Sequence, residues 1–158
     1  MTSFSPALDA EPRPAEFPAA YKRMANLHSA VSRGDLPARV RHFVRIRASE
    51  INGCAYCIDS HTEEALADGV DPTELRFLSV WHEVDLFTEQ ERAALAFVEA
   101  VTLISESHLP REVYDAAAAV FSEAELGTLL WESIVINAWN RLAISQRTPP
   151  ESLVARAA

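Results

Sequence analysis

The chain has 158 residues, of which 49% are hydrophobic and 23% charged, and it carries a net charge of −9. That length suits one domain able to bury roughly 70% of its unfolded surface, and the composition excludes a disordered chain. The acidic balance leaves no basic stripe for a phosphate backbone, and no apolar run approaches the ~18 residues a bilayer span needs, so neither nucleic acid nor membrane is expected as a partner.

The opening stretch MTSFSPALDAEPRPAEFP holds four prolines and scattered charges. It has no basic segment leading into an apolar one, as an export signal would. Residues 1–17 are therefore expected to be an extended or disordered arm, and the protein to work in the reducing cytoplasm. A first helix is predicted from about Pro18 to Ser32, with Tyr21, Met24, Leu27, His28 and Val31 on one face and Gly34 beyond its end. A second starts near Pro37 and carries Val40, Phe43, Val44 and Ile46 towards Glu50; Asn52-Gly53 interrupts it. A third begins at or near Cys54 and runs to Asp68, closed by Gly69.

Three further starts show capping-box spacing: Asp71 with Glu74, Thr88 with Glu91, and Ser122 with Glu125. In each, the acidic side chain can reach back to an unpaired backbone N–H. The helix from Thr88 runs to about Ile104. The one from Ser122 towards Gln146 is apolar nearly all round, which predicts a central helix or one covered by partner subunits. Thr148-Pro149-Pro150 stops it, and residues 149–158 are expected to be a tail. The expected fold is all-α: one domain over residues 18–148, built of about six to seven helices.

Both cysteines of the chain lie in the stretch EINGCAYCIDSH, residues 50–61. On a helix, Cys54, Cys57 and His61 converge on one side. Cys54 falls at the helix start, where free N–H groups favour a thiolate, and His61 can take a proton from Cys57 directly or through one water. An activated thiol with a second one three residues away suits redox chemistry, because the second resolves a sulfenic acid as a disulfide. A zinc site built on Cys54, Cys57 and His61 is an alternative; its fourth ligand would be His28, His42, His82, His108 or a carboxylate. Two inert buried cysteines are another.

The stretch RASEINGCAYCIDSHTEEALADGV resembles the signature of the carboxymuconolactone decarboxylase/alkylhydroperoxidase D superfamily, and LFTEQERAALAFVEAVT and INAWNRLAI are similar to its small single-domain branch. The resemblance implies an all-helical homo-oligomer, trimer or hexamer. It also implies a peroxidase that reduces a small hydroperoxide through a Cys54–Cys57 disulfide, without a bound cofactor, and is recharged by a thiol or dithiol reductant. A lyase on the same scaffold and a non-enzymatic thiol or metal sensor are the rivals. The family's relay glutamate, twelve residues before the first cysteine, is His42 here, and Glu50 stands four before Cys54. Either His42 or Glu50 would then finish the relay from His61, with Cys54 as the attacking thiol, or the relay is broken and the peroxidase activity weak. Asn137, Trp139, Asn140 and Arg141 match a further family stretch and read as packing and buried polar groups in need of partners.

Overall fold

The computed structural model describes residues 17–157; apart from Phe17, the expected N-terminal arm lies outside the described residues. The helices are α1 (Pro18–Ser32), α2 (Ala38–Asn52), α3 (Ala55–Ala67), α4 (Pro72–Phe77), α5 (Glu89–Thr102), α6 (Ile104–Ser107), α7 (Arg111–Val120), α8 (Glu123–Gln146) and α9 (Glu151–Ala157). A 3-10 segment, Leu78–Glu83, follows α4. No strand occurs among the described residues, so the architecture is all-α.

Local chemistry sets the boundaries. Thr88–Glu91 and Ser122–Glu125 close as reciprocal capping boxes at the starts of α5 and α8. Asp71 caps α4 through the Thr73 N–H, but Glu74 turns away to Arg39 of α2, so that box is only half formed. Gly53 and Gly69, at φ 68° and 83°, end α2 and α3 in the left-handed region where a Cβ is unfavourable.

The arginine-rich α2 is the organising helix. Its Val40, Val44 and Ala48 enter one apolar cluster with Phe97 and Val98 of α5 and Leu129 and Ile136 of α8. Phe43 and Ile46 enter a second, with Ala65, Leu78, Phe87 and Leu95. The inward face of α8 is unexpectedly polar. Glu132, Ser133, Asn137 and Asn140 are buried, while Leu130, Trp131 and Ile134 stand 38%, 50% and 41% exposed.

Three elements depart from the sequence expectations. α7 follows Pro110 and had no start signal beyond that proline. The helix expected to reach Ile104 breaks at Leu103 into α5 and α6. The expected tail forms α9, whose Ser152 N–H and hydroxyl donate to Asp59 of α3; a tertiary partner supplies the cap that no local residue offers. Trp81 donates its indole N–H to Glu99 at 2.8 Å, and His82 lies on the surface beside Glu83.

Candidate active site

The Asn52-Gly53 turn before the cysteines is held from below. Asn52 donates to the side-chain oxygens of Asn137 and Asn140 on α8, both at 2.9 Å, and Asn140 donates to Ser49 at 3.0 Å. Asn137 donates in turn to Thr102 and accepts from Arg141. These buried and half-buried polar groups bond one another, and so tie the α2–α3 junction to α8.

Cys54 sits at the N-cap of α3, where its sulfur accepts the Cys57 N–H at 3.4 Å. Cys54 and Cys57 form a disulfide, with Cα atoms 5.4 Å apart. Cys57, not Cys54, opens on a cavity of about 240 Å³. The rings of Tyr21, His28, Tyr56, His61 and Trp139 wall this cavity, and Ala25, Ser60 and Ala143 complete it. Tyr21 packs edge-on against Trp139 with centroids 5.2 Å apart, so α1 and α8 close the cavity over α3.

His61 Nδ1 donates to Glu64 at 2.9 Å, which leaves Nε2 as the acceptor of the neutral ring. The hydrogen bond from His61 holds the Glu64 carboxyl below the usual glutamate range. Behind Glu64 stands Arg45, 3.7 Å away and 6% exposed, which also donates to Glu132 of α8 and to Ser32 of α1. Glu132 is 1% exposed and accepts from Arg45, with Arg41 at 3.6 Å.

The two residues expected to finish the relay lie elsewhere. His42 Nε2 pairs with Asp68 at 2.8 Å and lines a separate cleft with Arg41, Arg45 and Glu64. Glu50 pairs with Arg47 at 2.9 Å, in a charge cluster shared with Glu99, and burial raises its carboxyl pKa. Neither lines the cysteine cavity. Among the described residues no group of three or more His, Cys, Asp or Glu side chains is arranged to hold a metal ion. No helix among them is long and apolar enough to cross a membrane.

Glu64 was missed although its i+3 spacing from His61 was legible. His28, Tyr21 and Trp139 reach the cavity from α1 and α8, and no sequence-local signal could have joined them to Cys57.

The fold is an all-helical bundle with a helix-capping Cys-x-x-Cys disulfide and a histidine on the same helix. The chain belongs to the carboxymuconolactone decarboxylase family, whose sequence profile matches residues 16–100. It is 32% identical over 128 residues to the uncharacterised protein YdfG of Bacillus subtilis (strain 168), covering 81% of this chain and 87% of YdfG. It is 36% identical to the crystal structure of ATU0492 of Agrobacterium tumefaciens, with a TM-score of 0.84 over 89% of this chain and 98% of that one. ATU0492 is a protein of unknown function, named as a candidate antioxidant defence protein AhpD. An uncharacterised peroxidase-related protein of Ralstonia eutropha JMP134, described as an alkylhydroperoxidase AhpD core, is 19% identical and shares the fold with a TM-score of 0.75, covering 85% of this chain and 72% of that one.

Proposed function

We propose that this protein is a cysteine-based hydroperoxide reductase, an antioxidant peroxidase of the cytoplasm, recharged by a thiol or dithiol. The observation that carries this reading is the Cys54–Cys57 disulfide with Cys57 opening on a cavity that also holds His61, itself oriented by Glu64. In the reduced protein, His61 Nε2 takes the Cys57 proton. The thiolate sulfur bonds the terminal oxygen of ROOH, the O–O bond breaks, and the alkoxide leaves as ROH with the proton returned by His61. Cys54 then attacks the Cys57 sulfenic acid; water departs with the Cys54 proton and the disulfide closes. A reductant entering through the cavity meets Cys57 and expels Cys54, whose helix-start position stabilises the leaving thiolate.

The test is a thiol titration of the reduced protein before and after one equivalent of cumene hydroperoxide. Both thiols should disappear as the peroxide is consumed; unchanged thiols would sink the reading. Stoichiometric zinc bound by the reduced thiols would favour a metal sensor instead.

Glu64 takes the relay position in this proposal. Glu64→Gln should lower the rate of Cys57 oxidation about 10- to 100-fold, the scale of a group that supports a general base. His42→Ala and Glu50→Gln should change it by less than about 3-fold, and the reverse ranking would return the relay to one of them. The pH profile gives the sign. Because the folded Glu64 pKa is lowered, its carboxylate stays charged down through mildly acidic pH. Its support for His61 is lost only as pH falls through that depressed value.

The exposed ridge of Leu130, Trp131 and Ile134 on α8 supports a homo-oligomer; a trimer or hexamer is what the family resemblance implies. Light scattering should give at least twice the 17.5 kDa of the chain, and Trp131→Asp should shift that mass downwards. A monomer at micromolar concentration would refute this.

A further inference from the structure

Two imidazoles wall the Cys57 cavity, and the cycle above uses only one. His28 comes from α1, a helix with no fully buried residue, and its ring stands edge-on to Trp139 at 6.2 Å and 74°. His61 has Nδ1 committed to Glu64. Among the described residues, neither ring nitrogen of His28 has a hydrogen-bond partner. A polar ring on the aromatic wall of the cavity that Cys57 lines, with neither nitrogen bonded among the described residues, is placed to meet a polar atom of the substrate.

We propose that His28 is a catalytic hydrogen-bond donor, its ring N–H binding the departing oxygen of the hydroperoxide while Cys57 attacks the other oxygen. The assignment rests on the peroxidase reading. As the O–O bond breaks, the electron pair collects on the alkoxy oxygen, and a donor already aimed there lowers the barrier without transferring its own proton. The proton that completes ROH is the one His61 took from Cys57.

The charge state suits a donor of this kind. Burial first, and then the positive charge of Arg45, lower the pKa of His28 and so favour its neutral ring. The charged and titratable groups acting on it are Arg45 of α2, Glu132 of α8, and His61 and Glu64 of α3. A second imidazolium beside Arg45 and a protonated His61 would add a third cation against two carboxylates, whereas a neutral N–H stabilises developing negative charge without that repulsion.

The experiment compares the wild-type protein with His28→Phe and His28→Gln in two rapid-mixing reactions of the reduced protein. One uses cumene hydroperoxide; the other uses a small aromatic disulfide. Attack on the disulfide needs the Cys57 thiolate but creates no alkoxide. His28→Phe should slow the hydroperoxide reaction about 10- to 100-fold, the scale of losing one such donor, and leave the disulfide reaction within about 2-fold. His28→Gln keeps an N–H donor and should recover most of the loss. A hydroperoxide rate retained in His28→Phe, an equal slowing of both reactions, or no recovery in His28→Gln would each overturn the assignment while the peroxidase reading stands. A wild-type protein that exchanges with the disulfide but consumes no hydroperoxide would remove both.

Discussion

Replacing Cys57 with serine should abolish hydroperoxide consumption, whereas replacing Cys54 should leave one oxidation that cannot be closed. Position along α3 alone points to Cys54 as the attacking thiol, because the helix start stabilises a thiolate. Access favours Cys57. Cys57 lines the cavity beside His61, whereas Cys54 accepts the Cys57 N–H and does not line it, although both are buried, at 3% and 1% exposed. A stabilised thiolate set back from the cavity resolves and leaves better than it attacks. In Cys54→Ser, a sulfenic acid should therefore form on Cys57, react with a sulfenic-acid trap, and advance to sulfinic acid in excess peroxide. In Cys57→Ser, the oxidation rate should fall by about 10³-fold or more, the scale of losing a nucleophile. Mass spectrometry of the trapped adduct decides the matter, and an adduct on Cys54 of the Cys57→Ser protein would return attack to the capping thiol.

The largest stability effect is expected at Glu132. It is 1% exposed, and it is the carboxylate facing Arg45, itself 6% exposed, and Arg41. Glu132→Gln keeps the shape but removes the charge, so Arg41 loses the carboxylate facing it and Arg45 keeps only the half-exposed Glu64 at 3.7 Å. Breaking a buried pair in this way costs about 3–5 kcal/mol. In a chain of this size that corresponds to a fall of roughly 10 °C in the unfolding midpoint, measured at fixed protein concentration because any assembly adds to stability. The exposed Arg111–Asp115 pair provides the control, and Asp115→Asn should change stability by less than about 0.5 kcal/mol. A loss below about 1 kcal/mol in Glu132→Gln would mean that water screens the pair. Because Arg45 also approaches Glu64, the variant should slow Cys57 oxidation even while folded.

What the sequence determined by itself is what chain neighbours decide. The Thr88–Glu91 and Ser122–Glu125 boxes, and the glycines ending α2 and α3, are contacts within a few residues, so their signals were complete before any packing. Cys54, Cys57 and His61 share one helix, and helical geometry alone brings them to one side. Family membership was legible on the same residues. Tertiary structure decided what faces what. Only the crossing of α1 and α8 over α3 exposes Cys57 to a cavity and places His28 and Trp139 around it. Only the packing of α2 sends His42 to Asp68 and Glu50 to Arg47, leaving Glu64 as the carboxylate on His61. In α8, a sequence apolar nearly all round predicted a central or partner-covered helix and was silent about Glu132, yet the two arginines of α2 face the carboxylate inside while Leu130 and Trp131 stand outside. A buried charge must face its partner, and that partner stands about ninety residues away in the chain.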